Sequence, residues 1–299
     1  MKGEKWFYHF VAFIVVAIWG STFVFTKMLL QSGLSPAQIF TLRFIIAYTL
    51  LLAYELCTHR FSLFASFWRD ELLMVGLGLT GGSLYFLTEN AAMLFTTATN
   101  TSLIVCSCPL FAMFLFALFY RHSEPIRRMQ AVGSLIACLG MAVVVLNGHF
   151  VLHLSPLGDL LAFGACLCWA VYSLLMKSAA NKYSTTFITR KVFIYGLVTI
   201  IPYYICFPAE ASPSIFQFFN YSILLNLLFL GVVASMLCFL LWNWVISKLG
   251  AVVATNWVYF NPITTILFAW WLLHEQITVW FLLGSALILL GMYLADRKK

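Results

Sequence analysis

The chain has 299 residues, 63% of them hydrophobic and only 9% charged, with 17 Lys and Arg against 10 Asp and Glu for a net charge of +7. A soluble domain carries about 25% charged residues, so the composition excludes a water-soluble globule and points to lipid as the solvent. The positive balance does not read as a nucleic-acid footprint, which would need a basic stripe on a soluble face.

A membrane-spanning helix needs about 20 apolar residues. In chain order the runs that fit are Trp6–Leu30, Pro36–Leu56, Leu72–Phe95, Asn100–Tyr120, Met129–Leu146, Leu157–Met176, Thr186–Phe207, Tyr221–Leu249, Ala254–Leu273 and Val279–Ala295. The predicted fold is therefore all-α, with ten transmembrane helices, short connections and no room for a soluble domain. Trp6–Leu30 has no small-residue cleavage site behind a short apolar stretch, so it reads as a retained helix.

Starting Met1 in the cytoplasm places fifteen of the 17 basic residues on that side: Lys2, Lys5, Arg60, Arg69, Arg121, Arg127, Arg128, Lys177, Lys182, Arg190, Lys191, Lys248, Arg297, Lys298 and Lys299. The opposite loops carry none. Excess positive charge on cytoplasmic loops sets orientation, so both termini are expected inside. The eight Cys lie in or at the ends of apolar runs. None forms a CxxC or Cys/His metal spacing, so they read as small apolar groups, with no metal and no cofactor.

The chain is written twice. Trp19 and Lys27 recur as Trp169 and Lys177, 150 residues on. Leu84, Phe86, Leu87, Asn90 and Pro109 recur as Leu237, Phe239, Leu240, Asn243 and Pro262, at 153. Gly133-Ser134 with Leu139-Gly140-Met141 recurs as Gly284-Ser285 with Leu290-Gly291-Met292, at 151. The halves are 1–148 and 149–299, each with five helices. Five is odd, so the second half enters from the opposite side. Inverted-topology repeats of this kind build secondary transporters, with the substrate near the midplane between the halves.

The stretch Ala17-Ile18-Trp19-Gly20-Ser21-Thr22-Phe23 with Lys27, and its echo Cys168-Trp169-Ala170-Val171-Tyr172 with Lys177, resemble the drug/metabolite transporter superfamily, specifically its ten-helix EamA type. So do the helix endings Pro109 to Glu124 and Pro262 to His274-Glu275, and the Gly-Ser…Leu-Gly-Met signatures. The resemblance covers nearly the whole chain. It implies a carrier in the bacterial inner membrane, exporting amino acids or small metabolites by alternating access; drug efflux and metabolite uptake are its alternatives. It also implies a cavity walled by helices one, three, four, six, eight and nine. Two departures stand out: Glu89, whose counterpart is Trp242, and the Asn-rich patch around Asn256 and Asn261.

Of the charges within the runs, Lys27, Arg43 and Glu89 are read as intramembrane. Intramembrane ionisable groups are costly and are functional candidates. At 1.5 Å per residue, Arg43 sits roughly 10 Å and Glu89 about 9 Å below the same surface. Matched depth predicts a Glu89–Arg43 pair, with Lys27 as second partner or snorkelling outward. Unpaired, Glu89 becomes a candidate proton carrier, and proton coupling follows.

Substrate-binding candidates are Trp19, Lys27, Tyr85, Glu89, Asn90, Asn100, Trp169, Tyr172, Trp242, Asn243, Asn256 and Tyr259, with Trp257 and Asn261 beside them. Their amides and polar-edged rings need partners in an apolar interior. Pro109 and Pro262 are candidate hinges, since each removes a helical hydrogen bond. Gly78, Gly82, Gly133, Gly140, Gly284 and Gly291 read as packing faces, and helices five and ten as scaffold or dimer contact. No HExxH, GxSxG or Walker loop is present, which argues against an enzyme and against an ATP-driven pump. The expected partners are a small-molecule substrate and the lipid bilayer, with the chain a monomer or homodimer.

Overall fold

The computed structural model describes residues 2–59, 61–96, 98–120, 127–146, 155–210, 220–273 and 279–296. Its elements are all helical, with no strand among the described residues. They are α1 (Lys2–Gln31), α2 (Pro36–Cys57), α3 (Trp68–Phe95), α4 (Ala98–Val105 and Cys108–Phe119), α5 (Arg128–Leu146), α6 (Pro156–Ala180), α7 (Thr185–Cys206), α8 (Tyr221–Leu249), α9 (Ala251–Leu273) and α10 (Val279–Asp296).

Seven of these contain stretches long and apolar enough to cross a membrane: α1, α2, α3, α6, α7, α8 and α9. The apolar parts Cys108–Phe119, Arg128–Val143 and Leu282–Ala295 of the other three are shorter. In α4 the reason is a break. The chain turns at Cys106–Ser107, so Pro109 falls in the first turn of a new segment instead of inside one continuous helix. Proline fits there because a first-turn N–H has no helical partner anyway. Its repeat mate Pro262 likewise follows a 3-10 turn at Trp257–Phe260.

Local chemistry sets the ends. Ser35 caps α2: its Oγ accepts from the Gln38 N–H, and Gln38 Oε1 accepts from the Ser35 N–H at 2.9 Å. This reciprocal box satisfies two donors that the helix start would otherwise orphan. Gly33 supplies the left-handed residue, φ 94°, that turns α1 into α2. Ser155 and Ser184 cap α6 and α7 through their hydroxyls, which accept from the Gly158 and Phe187 N–H groups.

Packing follows a pseudo-twofold. The contact of α1 with α9 is matched by α6 with α4, and that of α3 with α7 by α8 with α2. The contact of α3 with α6 is matched by α8 with α1, and α5 packs on its own mate α10. The two Gly-Ser…Leu-Gly-Met helices meet backbone to backbone: a Cβ on Gly133 would lie 2.4 Å from Ala295 N and 2.5 Å from Gly291 O. Without hydrophobic drive between helices in lipid, this close approach of small residues supplies the contact.

Two π segments were not anticipated. Leu79–Ser83 interrupts α3 and Phe229–Leu237 interrupts α8, at repeat-equivalent positions. A π turn shifts the carbonyls out of the i→i−4 ladder and is common at functional sites. The relative sidedness agrees with alternating crossings. The α2–α3 connection meets the α6–α7 turn through Lys182–Asp70 and Tyr183 with Ser66. The other end is joined by Gln38 Nε2 donating to Glu210 O.

Candidate functional site

At the centre, side chains from α1, α2, α3, α6, α7 and α8 form an aromatic box. Trp19 meets its repeat mate Trp169 edge-on, with centroids 5.3 Å apart and planes at 90°. Trp242 lies 5.1 Å from Trp19; Tyr85 and Tyr172 each lie 5.1 Å from Trp169. Phe239 touches Trp19, Trp169, Tyr172, Phe86, Phe44 and Phe193, and is the hub. Edge-to-face pairs at these spacings hold the rings in fixed orientations.

The box surrounds a small cavity of about 30 Å³, lined by Trp19, Thr22, Phe23, Arg43, Tyr85, Phe86, Glu89, Val105, Cys108, Trp169, Phe239, Val258 and Asn261. A water needs about 10–15 Å³ by this measure, so the cavity has room for about two. The π segment of α8 supplies two of its anchors. The Trp19 Nε1–H donates to the Ala234 carbonyl at 2.9 Å, and Arg43 Nε–H donates to Ser235 Oγ at 2.8 Å.

Arg43 and Glu89 both reach this cavity but are not joined. No hydrogen bond or ion pair links them; Glu89 Oε1 instead accepts from Tyr85 OH at 2.7 Å. The Arg43 guanidinium lies 4.3 Å from the centroid of Phe86. The expected direct pair is therefore replaced by two charges that share one cavity, each held by a neutral hydroxyl. The terminal guanidinium nitrogens and the second Glu89 oxygen make no protein hydrogen bond. The Nε1–H groups of Trp169 and Trp242 are likewise buried without acceptors.

The remaining candidates divide. Asn243 is structural in position: its Oδ1 accepts from Tyr172 OH at 2.6 Å and its Nδ2 donates to Thr189 Oγ1, tying α6, α7 and α8. Asn90 Nδ2 donates to the Pro36 carbonyl and does not line the cavity. Lys27 also lies off the cavity, donating from Nζ to Met93 O at 2.6 Å, near the C-terminal end of α3 where a cation opposes the helix dipole. Tyr259 is fully buried. Asn256 accepts from Ser134 Oγ and faces a second cleft with Trp257. The Asn100 side chain lies outside the described residues.

A second cluster involves Arg190 and Lys191, which the sequence counts only among the basic residues of the cytoplasmic side. Both are buried in α7. Arg190 Nε lies 2.5 Å from Glu55 Oε2 and stacks 4.7 Å from the Phe61 centroid. Lys191 pairs with Glu71, to which Tyr195 also donates. The exposed Lys182, in the α6–α7 turn, has its pKa raised by its hydrogen bond to Asp70. Opposite charges near the facing ends of α2, α3 and α7 were the available signal.

Comparison with known proteins supports the repeat. The model of the EamA-like transporter family matches twice, over residues 6–146 and 156–295. A transporter from Archaeoglobus fulgidus is 27% identical over 296 residues, covering 99% of this chain and all of the relative. A probable amino-acid metabolite efflux pump of Salmonella typhimurium is 26% identical, covering 95% and 93%. A probable terminal-alkyne amino-acid exporter of Streptantibioticus cattleyicolor is 25% identical over 77% of this chain and 74% of its own. A solved crystal structure superposes with TM-score 0.75 at 20% identity, covering 98% of this chain and 96% of that one, and carries the fold alone. With the duplicated family match spanning both halves of the helical bundle, the chain is a multi-pass membrane protein belonging to the EamA-like transporter family.

Proposed function

We propose that this transporter is a secondary carrier for amino acids or related zwitterions, working as an exporter by alternating access between the halves 1–148 and 149–299. The observation that carries the reading is the pairing of unlike charges in one aromatic cavity. Arg43 has two terminal nitrogens free for a carboxylate, and Glu89 has one oxygen free for an ammonium. Guanidinium binds a carboxylate through paired N–H donors, and the faces of Trp19 and Trp169 suit a cation. With room for about two waters, the cavity is in a closed form and must widen to admit a solute.

The carrier sits in the bacterial inner membrane with both termini cytoplasmic, on the strength of the charge bias. In a Cys-free background, an impermeant thiol reagent added outside should label Ser32→Cys and spare Asn181→Cys; the reverse pattern refutes this orientation.

The substrate class is tested by ligand-dependent melting of the purified protein. Binding to the native state raises the melting temperature by mass action. A free amino acid should raise it, and its amide or N-acetyl derivative should not. Arg43→Gln should remove the response to the free amino acid. Equal shifts from the amino acid and both blocked forms would overturn the zwitterion reading.

A further inference from the structure

A cleft larger than the central cavity lies elsewhere in the bundle. It has a volume of about 460 Å³ and lies between the first turns of α1, the start of α9 and the last turns of α10. Trp6, Phe10 and Phe13 line one wall, Trp257 the floor, and Met292 and Tyr293 the other wall. The polar contributions are small, and one of them is already engaged: His9 Nδ1 accepts from the Trp257 Nε1–H at 3.1 Å. Trp6 and Tyr293 are exposed, so the cleft opens sideways from the bundle.

Charge gathers at one end of this cleft. Lys5 precedes His9 and Phe13 by one and two helical turns and so heads the row that lines it; residues four apart share a helix face. Lys2 stands in the same relation to Trp6 and Phe10. Lys248, exposed at the end of α8, lies one turn beyond Trp244, whose ring packs 6.0 Å from Phe7 and 5.0 Å from Tyr8. After Tyr293 the sequence runs on to Arg297, Lys298 and Lys299. In the sequence, Glu4 and Asp296 are the acidic neighbours of Lys5 and Arg297.

We infer that this cleft is a binding site for an anionic phospholipid, the aromatic walls holding an acyl chain and Lys5 with Lys248 holding the phosphate. An apolar, laterally open cleft between membrane helices has lipid chains as its neighbours, and basic residues at its mouth select a negative headgroup. The charge bias puts this end on the cytoplasmic side, where anionic lipid carries a surface potential that favours Lys and Arg.

The test uses the purified full chain in neutral detergent, with dioleoyl phosphatidylglycerol and dioleoyl phosphatidylcholine as probes, read by native mass spectrometry and by melting temperature. Phosphatidylglycerol should be retained and should raise the melting temperature; phosphatidylcholine with the same chains should do neither. Lys5→Gln with Lys248→Gln should weaken retention at least fivefold, since each basic contact contributes about that factor. Leu289→Trp, at a half-exposed cleft position, should block retention with the lysines intact. Lys182→Gln, at the α6–α7 turn away from the cleft, should change nothing. The inference fails if the two lipids bind alike, or if Lys182→Gln weakens retention as much as the Lys5/Lys248 pair. It fails too if glycerol phosphate alone gives the same shift, or if Leu289→Trp retains phosphatidylglycerol fully. The melting temperature of each variant without lipid separates a folding defect from lost binding.

Discussion

Glu55 and Arg190 join the end of α2 in the first half to the start of α7 in the second, and both are only 2% exposed. Removing one partner of a buried ion pair strands the other charge and costs about 3–5 kcal/mol. Arg190 keeps some support when Glu55 is gone. It still donates to the Ser62 carbonyl and stacks on Phe61 and Phe187. Glu55→Leu should therefore fall at the lower end, near 3 kcal/mol. Arg190→Met leaves Glu55 without that support and should cost more. The double variant buries no unpaired charge, and well-packed apolar replacements of a buried pair are close to neutral. The assay is equilibrium unfolding in mixed detergent micelles, read as a double-mutant cycle. A double variant much more stable than the sum of the singles predicts should emerge, with a coupling above about 2 kcal/mol. Additivity within about 0.5 kcal/mol would refute the reasoning. Asp70→Asn is the internal control, because its partner Lys182 is 55% exposed and a solvated pair contributes little.

Gly133→Ala places a Cβ against the Gly291 carbonyl and Ala295 amide, so α5 and α10 must part, and melting should fall by the equivalent of about 1–3 kcal/mol. Gly164→Ala, whose nearest neighbour would be 3.8 Å away, should instead stabilise slightly through helix propensity. At equal expression, Trp19→Ala and Trp169→Ala should impair transport more than Leu283→Ala on the exposed face of α10; equal activity for all three would remove the case for the central cavity. Glu89→Gln should abolish any dependence of transport on a pH gradient while leaving binding measurable; an unchanged dependence would exclude Glu89 as the proton carrier.

Much of the bundle was legible because duplication leaves pairs. Trp19 and Trp169 stand out from the Leu and Phe background at a fixed offset, and the structure brings them into contact. The Gly-Ser…Leu-Gly-Met motifs likewise mark the two helices that pack on each other. What the sequence hid was register and partner choice. Depth alone put Arg43 level with Glu89, but Arg43 Nε bonds Ser235, 192 residues on, on a helix whose π turns displace its ladder. Nothing in the residues Phe229–Leu237 announces that turn. Arg190 and Lys191 read only as cytoplasmic-side charges, because their acids lie 135 and 120 residues upstream. Phe239 is one of 29 Phe, and only the convergence of five other helices on it makes it the hub.

The central claim is tested most directly by counterflow in proteoliposomes. Vesicles loaded with an unlabelled amino acid should take up the same amino acid in labelled form transiently above equilibrium, with saturation and without ATP. Arg43→Gln should lose this for the free amino acid at normal expression and melting. Labelled uptake that never exceeds equilibrium, with every amino acid tried, or that Arg43→Gln leaves unchanged, would contradict the account.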